Sequence, residues 1–315
     1  MNGPVFLFPG QGSQYVGMGK ALWDAYDSVK RRFEEASDTS GKDLRALCFD
    51  GPDTTLVQTD NVQPAITLVS LVCLQVLREE AGVEPAAVAG HSVGEYAALS
   101  AAGALSFADA IALTQLRGAA MKNEAEHHPG SMAAVFGLAP EVVAAICEEA
   151  GADRVQVANH NAPGQIVVTG TSDGVKDVAA RAKASGAKLV VPLKVSGPWH
   201  SRFMAGAQAP LERALESRAI APPRLDCWAN LTAAPYGADV QDIRRSLVAQ
   251  IISPVLWTQS MSALVARGYR TFVEVGPGRV LSGLLKDVSR ELTVLNVQDV
   301  DTLTKFRSSY KPPSA

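Results

Sequence analysis

The sequence predicts an α/β protein in which a large main domain carries a smaller inserted subdomain. Two short apolar runs, at 5–8 and 86–89, each meet a glycine-rich turn at once, as buried strands of an open sheet do. A long apolar segment at 63–80 is typical of a buried helix. After residue 129, short strand-like and helix-like segments alternate densely, which indicates a separate compact unit.

The second apolar run leads into the most informative stretch of the main domain. The strand at 86–89 enters GHSVGEYAALSAAGAL, where alanine becomes dense after Gly94 and predicts a helix. Ser106 with Asp109 is a weaker version of the capping box, so a further helix is expected to begin there and to run to about Asn123. The chain therefore turns sharply from strand to helix within GHSVG.

The dense region has the element order β-α-β-β-α-β. SMAAVFGL, VQVANHNAPG, QIVVTG and AKLVVPLKV are strand-like, whereas PEVVAAICEEAG and TSDGVKDVAARAKASG are helical. This order is the ferredoxin-like pattern, so we predict a ferredoxin-like subdomain at 129–196 inserted in a catalytic domain formed by 1–128 and 197–315. The second part of that domain is expected to contain helices near 204–218 and 239–252 and a strand, TFVEV, before the turn at 276–278.

Composition excludes several classes of protein. The 315 residues carry a net charge of -3 with a pI of about 6.0, and a nucleic-acid-binding protein needs a basic surface instead. No uninterrupted apolar stretch is long enough for a transmembrane helix, so no membrane association is expected. The four widely spaced cysteines have apolar neighbours, which favours reduced core cysteines in a cytoplasmic protein. The five histidines lack metal-ligand spacing, and no metal site is predicted.

Gly90-His91-Ser92-Val93-Gly94 fits the G-x-S-x-G nucleophile elbow between a predicted strand and a predicted helix. Such an elbow exposes the serine Oγ and directs the backbone N–H of Val93 toward a developing oxyanion. The alternative is a serine that only caps the helix in a glycine-rich turn. The order of strand, turn and alanine-rich helix favours a nucleophilic Ser92.

A nucleophilic serine needs a base, and His200 in VSGPWHS is the best candidate because it lies in a loop where the chain re-enters the main domain. A lone histidine bonded to backbone is the alternative, and the elbow serine makes it the weaker one. His127 and His128 lie in a polar segment, and His160 lies in a turn of the subdomain. No acidic residue stands out as the third member of a triad.

Arg117 is expected to face inward, because it shares a helical stripe with Ala110, Leu113, Thr114 and Met121. A buried arginine is costly unless an anion meets it. A structural carboxylate is one possible partner. A substrate carboxylate is the other, since guanidinium and carboxylate match as a bidentate pair. Beside an acylating serine, the second alternative would select a dicarboxylic half-thioester.

Taken together, these motifs resemble the malonyl-CoA:acyl carrier protein transacylase family of fatty-acid and polyketide synthesis. The resemblance covers nearly the whole chain. It rests on FPGQGSQYVGMG, NVQPAI, GHSVGEYAAL, RGAAM, ANHNAPGQIVVTG, GPWHS, QIISPVLW and EVGPGRVLSGLLK, in this order. It implies an α/β-hydrolase-like main domain, a ferredoxin-like insert, and ping-pong malonyl transfer through an ester on Ser92, with coenzyme A thioesters and an acyl carrier protein as partners.

The resemblance also implies individual roles. The N–H of Gln11 joins that of Val93 in the oxyanion hole, and the backbone carbonyl of Gln250 orients the base in place of an acid. Arg117 binds the malonyl carboxylate, and Gln63 and His91 line the substrate pocket, with the His91 side chain projecting away from that of Ser92. No bound cofactor is implied, because the phosphopantetheine belongs to the carrier.

One residue departs from the family pattern. Malonyl-selective members often have Phe before the base histidine and methylmalonyl-selective members often have Ser, whereas this chain has Trp199. A larger ring leaves less room for an α-branch, which favours malonyl, but it could also reshape the pocket for another acyl unit.

Three alternatives differ in class: a hydrolase that clears acyl groups from carriers, a silent scaffold on the same fold, and a general esterase. Arg117 disfavours the hydrolase and the esterase, and the presence of Ser92 and His200 disfavours the scaffold. We expect a cytoplasmic monomer, and basic residues near the pocket mouth are hypothetical contacts for an acidic carrier: Lys188, Lys194, Arg202 and Lys286.

Overall fold

The computed structural model describes residues 3–311, which form two sheets and the helices around them. The strands are β1 Val5–Phe8, β2 Ala87–Gly90, β3 Ser131–Phe136, β4 Val155–Ala162, β5 Gln165–Gly170, β6 Leu189–Pro192, β7 Asp226–Ala229, β8 Ala234–Pro235, β9 Thr271–Val275 and β10 Thr293–Val297. The helices before the second sheet are α1 Lys20–Ala25, α2 Asp27–Ser40, α3 Leu44–Phe49, α4 Asp53–Leu56, α5 Thr59–Ala81, α6 Gly94–Ala101 and α7 Phe107–His127. Those that follow are α8 Pro140–Glu149, α9 Ser172–Ala184, a 3-10 helix Arg202–Ala207, α10 Gln208–Glu216, α11 Val240–Gln250, α12 Trp257–Ala266, α13 Val280–Val288 and α14 Val300–Ser309.

The larger sheet has six strands in the order β10-β9-β1-β2-β7-β8. The first five strands in that order are parallel, and only the two-residue β8 runs antiparallel, at the edge. Helices cover both faces, so β1 is apolar throughout: Phe6 and Phe8 pack into one hydrophobic cluster, and Val5 and Leu7 pack into another. The carboxyl ends of the parallel strands therefore meet at one edge of the sheet.

Helix α5 is the central helix of the larger cluster, and it begins four residues earlier than the sequence predicts. It starts at Thr59 and contains Pro64, which looks like a start signal in the sequence but lies in the second turn of the helix. By length and composition α5 could cross a membrane, yet 83% of its most apolar 18-residue window is buried inside the protein. Its apolar character is therefore that of a core helix.

Helix α7 begins as predicted, because the Ser106 side chain accepts a hydrogen bond from the backbone N–H of Asp109. The prediction of its end near Asn123 is wrong, since the helix continues to His127. The extra turn buries Ala125 against the core, while His127 is exposed. The burial of Ala125 is thus consistent with a helix that continues through this polar segment.

The second sheet is entirely antiparallel, in the order β4-β5-β3-β6, with the helices α8 and α9 on one face. All six of its elements were predicted in the right order. His160 lies within β4, not in a turn as predicted, because β4 continues through two bulges to Ala162. A further pair of bonds, between β4 and Val255, joins this sheet to the larger body.

Candidate active site

The predicted site residues converge at the carboxyl edge of the larger sheet. Gln11 follows β1, Ser92 follows β2, and Asn230 follows β7. In open parallel sheets, ligands bind outside this edge, where the loops after neighbouring strands face one another. Gln11 and Ser92 line the cavity there, and His200 reaches it from the segment that returns from the second sheet.

The elbow around Ser92 has the geometry that G-x-S-x-G requires. Ser92 has φ 51°, in the left-handed region, which exposes its Oγ at the start of α6. A Cβ atom at Gly90 would lie 2.0 Å from the backbone of Gly94, and one at Gly94 would lie 2.2 Å from the carbonyl oxygen of Phe8. Both glycines are therefore needed for strand and helix to pass this closely.

His200 connects the serine to Gln250. Its Nε2 lies 2.8 Å from Ser92 Oγ, and its Nδ1 lies 3.0 Å from the backbone carbonyl oxygen of Gln250. A carbonyl accepts, so Nδ1 carries the proton and Nε2 is free to take the serine proton. Burial, and next the nearby Arg117 charge, lower the pKa of His200 to about 3. The imidazole is therefore neutral, as a general base must be.

The carboxylates of Asp226 and Glu274 have partners of their own. Asp226 pairs with Arg267, and the buried Glu274 accepts hydrogen bonds from Ser282 and Leu281 at the start of α13. Neither contacts His200. The buried acid of the site is Glu95, one residue beyond the elbow, which the sequence analysis did not single out.

Arg117 is 1% exposed and lies between two carboxamides. It donates from Nη1 to Gln63 Oε1 at 2.7 Å and from Nη2 to Gln250 Oε1 at 2.9 Å. Its Nη2 is also 3.3 Å from Ser92 Oγ. Among residues 3–311 no carboxylate forms an ion pair with Arg117. The structure therefore does not contain the structural carboxylate that was one of its two possible partners.

Glu95 is the centre of a buried hydrogen-bond network behind the elbow. It accepts from the Tyr236 hydroxyl, from the Gln250 side chain and from the backbone N–H of Asn230. Burial raises the pKa of Glu95 to about 7, while those hydrogen bonds and the Arg117 charge oppose the shift. Glu95 thus holds Asn230 and Gln250, which contact Ser92, and makes no hydrogen bond to Ser92 itself.

Gln11 and Val93 both line the cavity beside Ser92, and each has a backbone N–H group. Within the described range 3–311, neither donates a hydrogen bond to the protein. Val93 is 1% exposed, and a buried N–H without an acceptor is rare unless a ligand supplies one. The pair of donors is where an oxyanion formed on attack by Ser92 would be stabilised.

Comparison with known proteins shows which family this chain belongs to. The profile of the acyl transferase domain family matches residues 5–308. A malonyl CoA-acyl carrier protein transacylase of Bacillus subtilis is 42% identical over 301 residues, which cover 95% of this chain and 94% of that protein. The chain belongs to the malonyl CoA-acyl carrier protein transacylase family.

Solved structures of this family share the fold. A malonyl CoA-acyl carrier protein transacylase from Coxiella burnetii superposes with a TM-score of 0.94 at 32% identity, covering 98% of both chains. A malonyl-transacylase in complex with a type II PKS acyl-carrier protein has a TM-score of 0.93 at 36% identity, covering 98% of this chain and 100% of that one. The mixed α/β fold with its mainly parallel sheet is thus that of the family.

The pocket of this family member is polar at one end and apolar elsewhere. His91 lines it, and its Nε2 lies 2.9 Å from Asn161 Oδ1, away from Ser92. Trp199 lines it too, and its ring packs so closely on Gly197 that a Cβ there would lie 2.7 Å from the indole. The apolar walls come from α7, from the second sheet and the segment after it, and from α13: Met121, Met132, Val167, Leu193, Val195, Val280, Leu281 and Leu284.

The four basic residues proposed as carrier contacts are all exposed, but they differ in position. Lys194 lies between the wall residues Leu193 and Val195, and Lys286 lies two residues beyond Leu284 on α13. Arg202 is two residues past the base. Lys188 borders a separate depression that Asp287 also lines. Lys194 and Lys286 therefore flank the apolar wall of the cavity in sequence.

The protonation state of the base can be measured directly. Because burial and Arg117 hold the pKa of His200 at about 3, its imidazole NMR signals should not shift between pH 8 and pH 5. Replacing Arg117 with Met removes one cause of the lowering, so the pKa should rise. The His200→Asn variant assigns the signal by its loss. Titration of His200 near its ordinary value of about 6.5 in the folded wild type would contradict this assignment.

Proposed function

We propose that this protein transfers a malonyl group from malonyl-CoA to the phosphopantetheine thiol of an acyl carrier protein, through an ester on Ser92. The observation that carries the proposal is Arg117: a buried guanidinium, 3.3 Å from the Ser92 Oγ, held by neutral carboxamides and without an ion pair among residues 3–311. Such a charge is complementary to a carboxylate that arrives with the acyl group.

In the first half-reaction, the malonyl carboxylate binds Arg117, and the thioester carbonyl lies next to Ser92 Oγ. His200 Nε2 takes the hydroxyl proton as Oγ attacks the carbonyl carbon, and the oxyanion accepts hydrogen bonds from the N–H groups of Gln11 and Val93. When the carbon–sulfur bond breaks, His200 returns the proton to the CoA thiolate. The malonyl group is then an ester on Ser92.

The second half-reaction runs through the same atoms in reverse. The carrier thiol gives its proton to His200 and attacks the Ser92 ester, and the same two N–H groups stabilise the oxyanion. The carbon–oxygen bond breaks, Ser92 Oγ recovers the proton, and the malonyl thioester leaves on the carrier. The steps require only residues of this chain, with CoA and phosphopantetheine entering as parts of the substrates.

Trp199 supports malonyl as the acyl group. Its indole ring lies in the pocket wall, and Gly197 lies so close behind the ring that a Cβ atom there would be 2.7 Å from it. An α-branched acyl group would need space that the ring occupies, so we propose selection of the unbranched malonyl unit.

We further propose that the larger sheet belongs to an α/β-hydrolase-like catalytic domain, 1–128 and 197–315, with 129–196 as a ferredoxin-like subdomain. Support comes from the strand order β4-β5-β3-β6 with both helices on one face. A monomer in the cytoplasm fits the four cysteines, which are all free and buried.

Replacing Ser92 with Ala should abolish the malonyl adduct, since no hydroxyl remains to be acylated. Intact-mass measurement after incubation with malonyl-CoA detects the adduct. Ser100→Ala on the same helix is the control and should load normally. A malonyl adduct on the Ser92→Ala protein would disprove the nucleophile, and a wild-type ester hydrolysed as fast without carrier thiol as it is transferred with it would indicate a hydrolase.

Replacing Arg117 with Ala should lower malonyl loading relative to acetyl loading by on the order of a hundredfold, because charge-assisted hydrogen bonds to the carboxylate are lost. Loading rates from the two CoA esters are compared on the same preparation. Arg244→Ala is the control, because Arg244 donates to the backbone carbonyls of Leu215 and Arg218. It should leave the ratio of malonyl to acetyl loading unchanged. Equal loss of both substrates in the Arg117 variant would refute the carboxylate role.

Reversing the charge at the mouth should impair the carrier half-reaction. Lys194→Glu and Lys286→Glu should raise KM for the acyl carrier protein by about tenfold, because an acidic carrier then meets like charge. Loading of Ser92 from malonyl-CoA should be retained. Lys176→Glu on the exposed face of α9 is the matched control. Unchanged carrier kinetics in the Lys194 and Lys286 variants would exclude these contacts.

A further inference from the structure

Resting on the proposed function, the geometry points to Asn230 as a positioning residue that holds the Ser92 elbow in its left-handed conformation. Asn230 follows the short strand β7 and is 1% exposed. It is not a reacting group in the mechanism above. Its side chain instead bridges the two residues that flank His91.

Both ends of the Asn230 carboxamide are used on the elbow backbone. Oδ1 accepts a hydrogen bond from the backbone N–H of Ser92 at 2.7 Å, and Nδ2 donates one to the carbonyl oxygen of Gly90 at 2.6 Å. Both are short hydrogen bonds between the elbow backbone and a residue from another part of the sheet. They span the turn at which the chain passes from β2 to Ser92.

The elbow needs this bridge because its conformation leaves the backbone N–H of Ser92 without another hydrogen-bond acceptor among the described residues. The Ser92 N–H lies just before α6, where helix N–H groups lack intrahelical acceptors, and within 3–311 its acceptor is Asn230 alone. The φ of 51° at Ser92 is costly for a residue with a Cβ and persists only where its surroundings hold it. One acceptor and one donor in fixed order are what a carboxamide supplies.

Asn230 is itself anchored. Its backbone N–H lies 3.3 Å from Glu95 Oε2, and Glu95 in turn accepts from Tyr236. Gln250 Nε2 lies 3.4 Å from Asn230 Oδ1 and 3.2 Å from the Ser92 carbonyl oxygen. The side chain therefore cannot swing away without breaking bonds on both sides, and it fixes Ser92 relative to the segment that orients His200.

The first test removes the bridge. Asn230→Ala should lower kcat for acylation of Ser92 by on the order of a hundredfold, because a small displacement of Oγ from the base is enough for such a loss. Malonyl-CoA and acetyl-CoA should be affected equally, and KM should not change, because Arg117 is untouched. Thermal unfolding confirms that the variant is folded before rates are compared.

The second test uses protonation to restore the bridge. A protonated carboxyl from Asn230→Asp can accept from Ser92 N–H and donate to the Gly90 carbonyl, whereas the carboxylate cannot donate. Activity relative to wild type should therefore rise at least tenfold as pH falls from 8.5 to 5.5. Both the variant and the wild-type reference share the titratable and charged groups around this position: Glu95, Tyr236, His91, His200, Arg117, Tyr96 and Cys227.

Asn296→Asp is the control: Asn296 lies in β10 of the same sheet, its Nδ2 also donates to backbone carbonyl oxygens, those of Glu274 and Gly278, and it makes no hydrogen bond to the elbow. It should show no such change with pH. A folded Asn230→Ala protein that acylates at the wild-type rate would overturn the inference, and so would an Asp variant whose activity relative to wild type is constant with pH. Failure of the wild type itself to load malonyl would instead overturn the proposed function.

Discussion

The arrangement depends on one buried charge, that of Arg117, which forms no ion pair within the described residues 3–311. Gln63 accepts from Nη1 of Arg117 and Gln250 accepts from Nη2, whereas the buried Nε has no partner within residues 3–311. The same charge helps to lower the pKa of His200. Arg117 therefore has two consequences at once: it makes the pocket complementary to a carboxylated acyl group, and it keeps the neighbouring base neutral and able to accept a proton.

A second constraint is backbone strain at Ser92 and at His200, the two residues between which we propose that the proton moves. Ser92 and His200 each have positive φ, at 51° and 57°. Neither is glycine, so each conformation must be held by contacts made elsewhere. Gly90 and Gly94 give the space around Ser92, and Gln250 reaches His200 through its backbone carbonyl. The distance of 2.8 Å between Oγ and Nε2 is thus a product of the surrounding fold.

Much of this could be predicted from local patterns. The elbow motif located Ser92, helical spacing placed Arg117 inward, and the Gly-Pro loop marked His200. The Gln250 carbonyl came only from the family resemblance. Glu95 and Asn230 were missed because their roles depend on contacts between elements 135 or more positions apart in sequence. A polar residue directly after a short buried strand was the available signal for Asn230, since strand ends border the site in parallel sheets.

The second sheet explains why a nucleophile elbow alone would not define the substrate. Along β3, Ala133 and Val135 pack against α8 and α9, whereas Met132 faces the opposite side and lines the pocket beside Val167 of β5. Successive side chains of a strand point to opposite faces of the sheet. One face of the second sheet therefore packs against α8 and α9, and the other lines the pocket. Ser92 lies at the edge of the larger sheet, and residues of the second sheet, of α7 and of α13 close the cavity around it, so the shape of the cavity depends on more than the elbow.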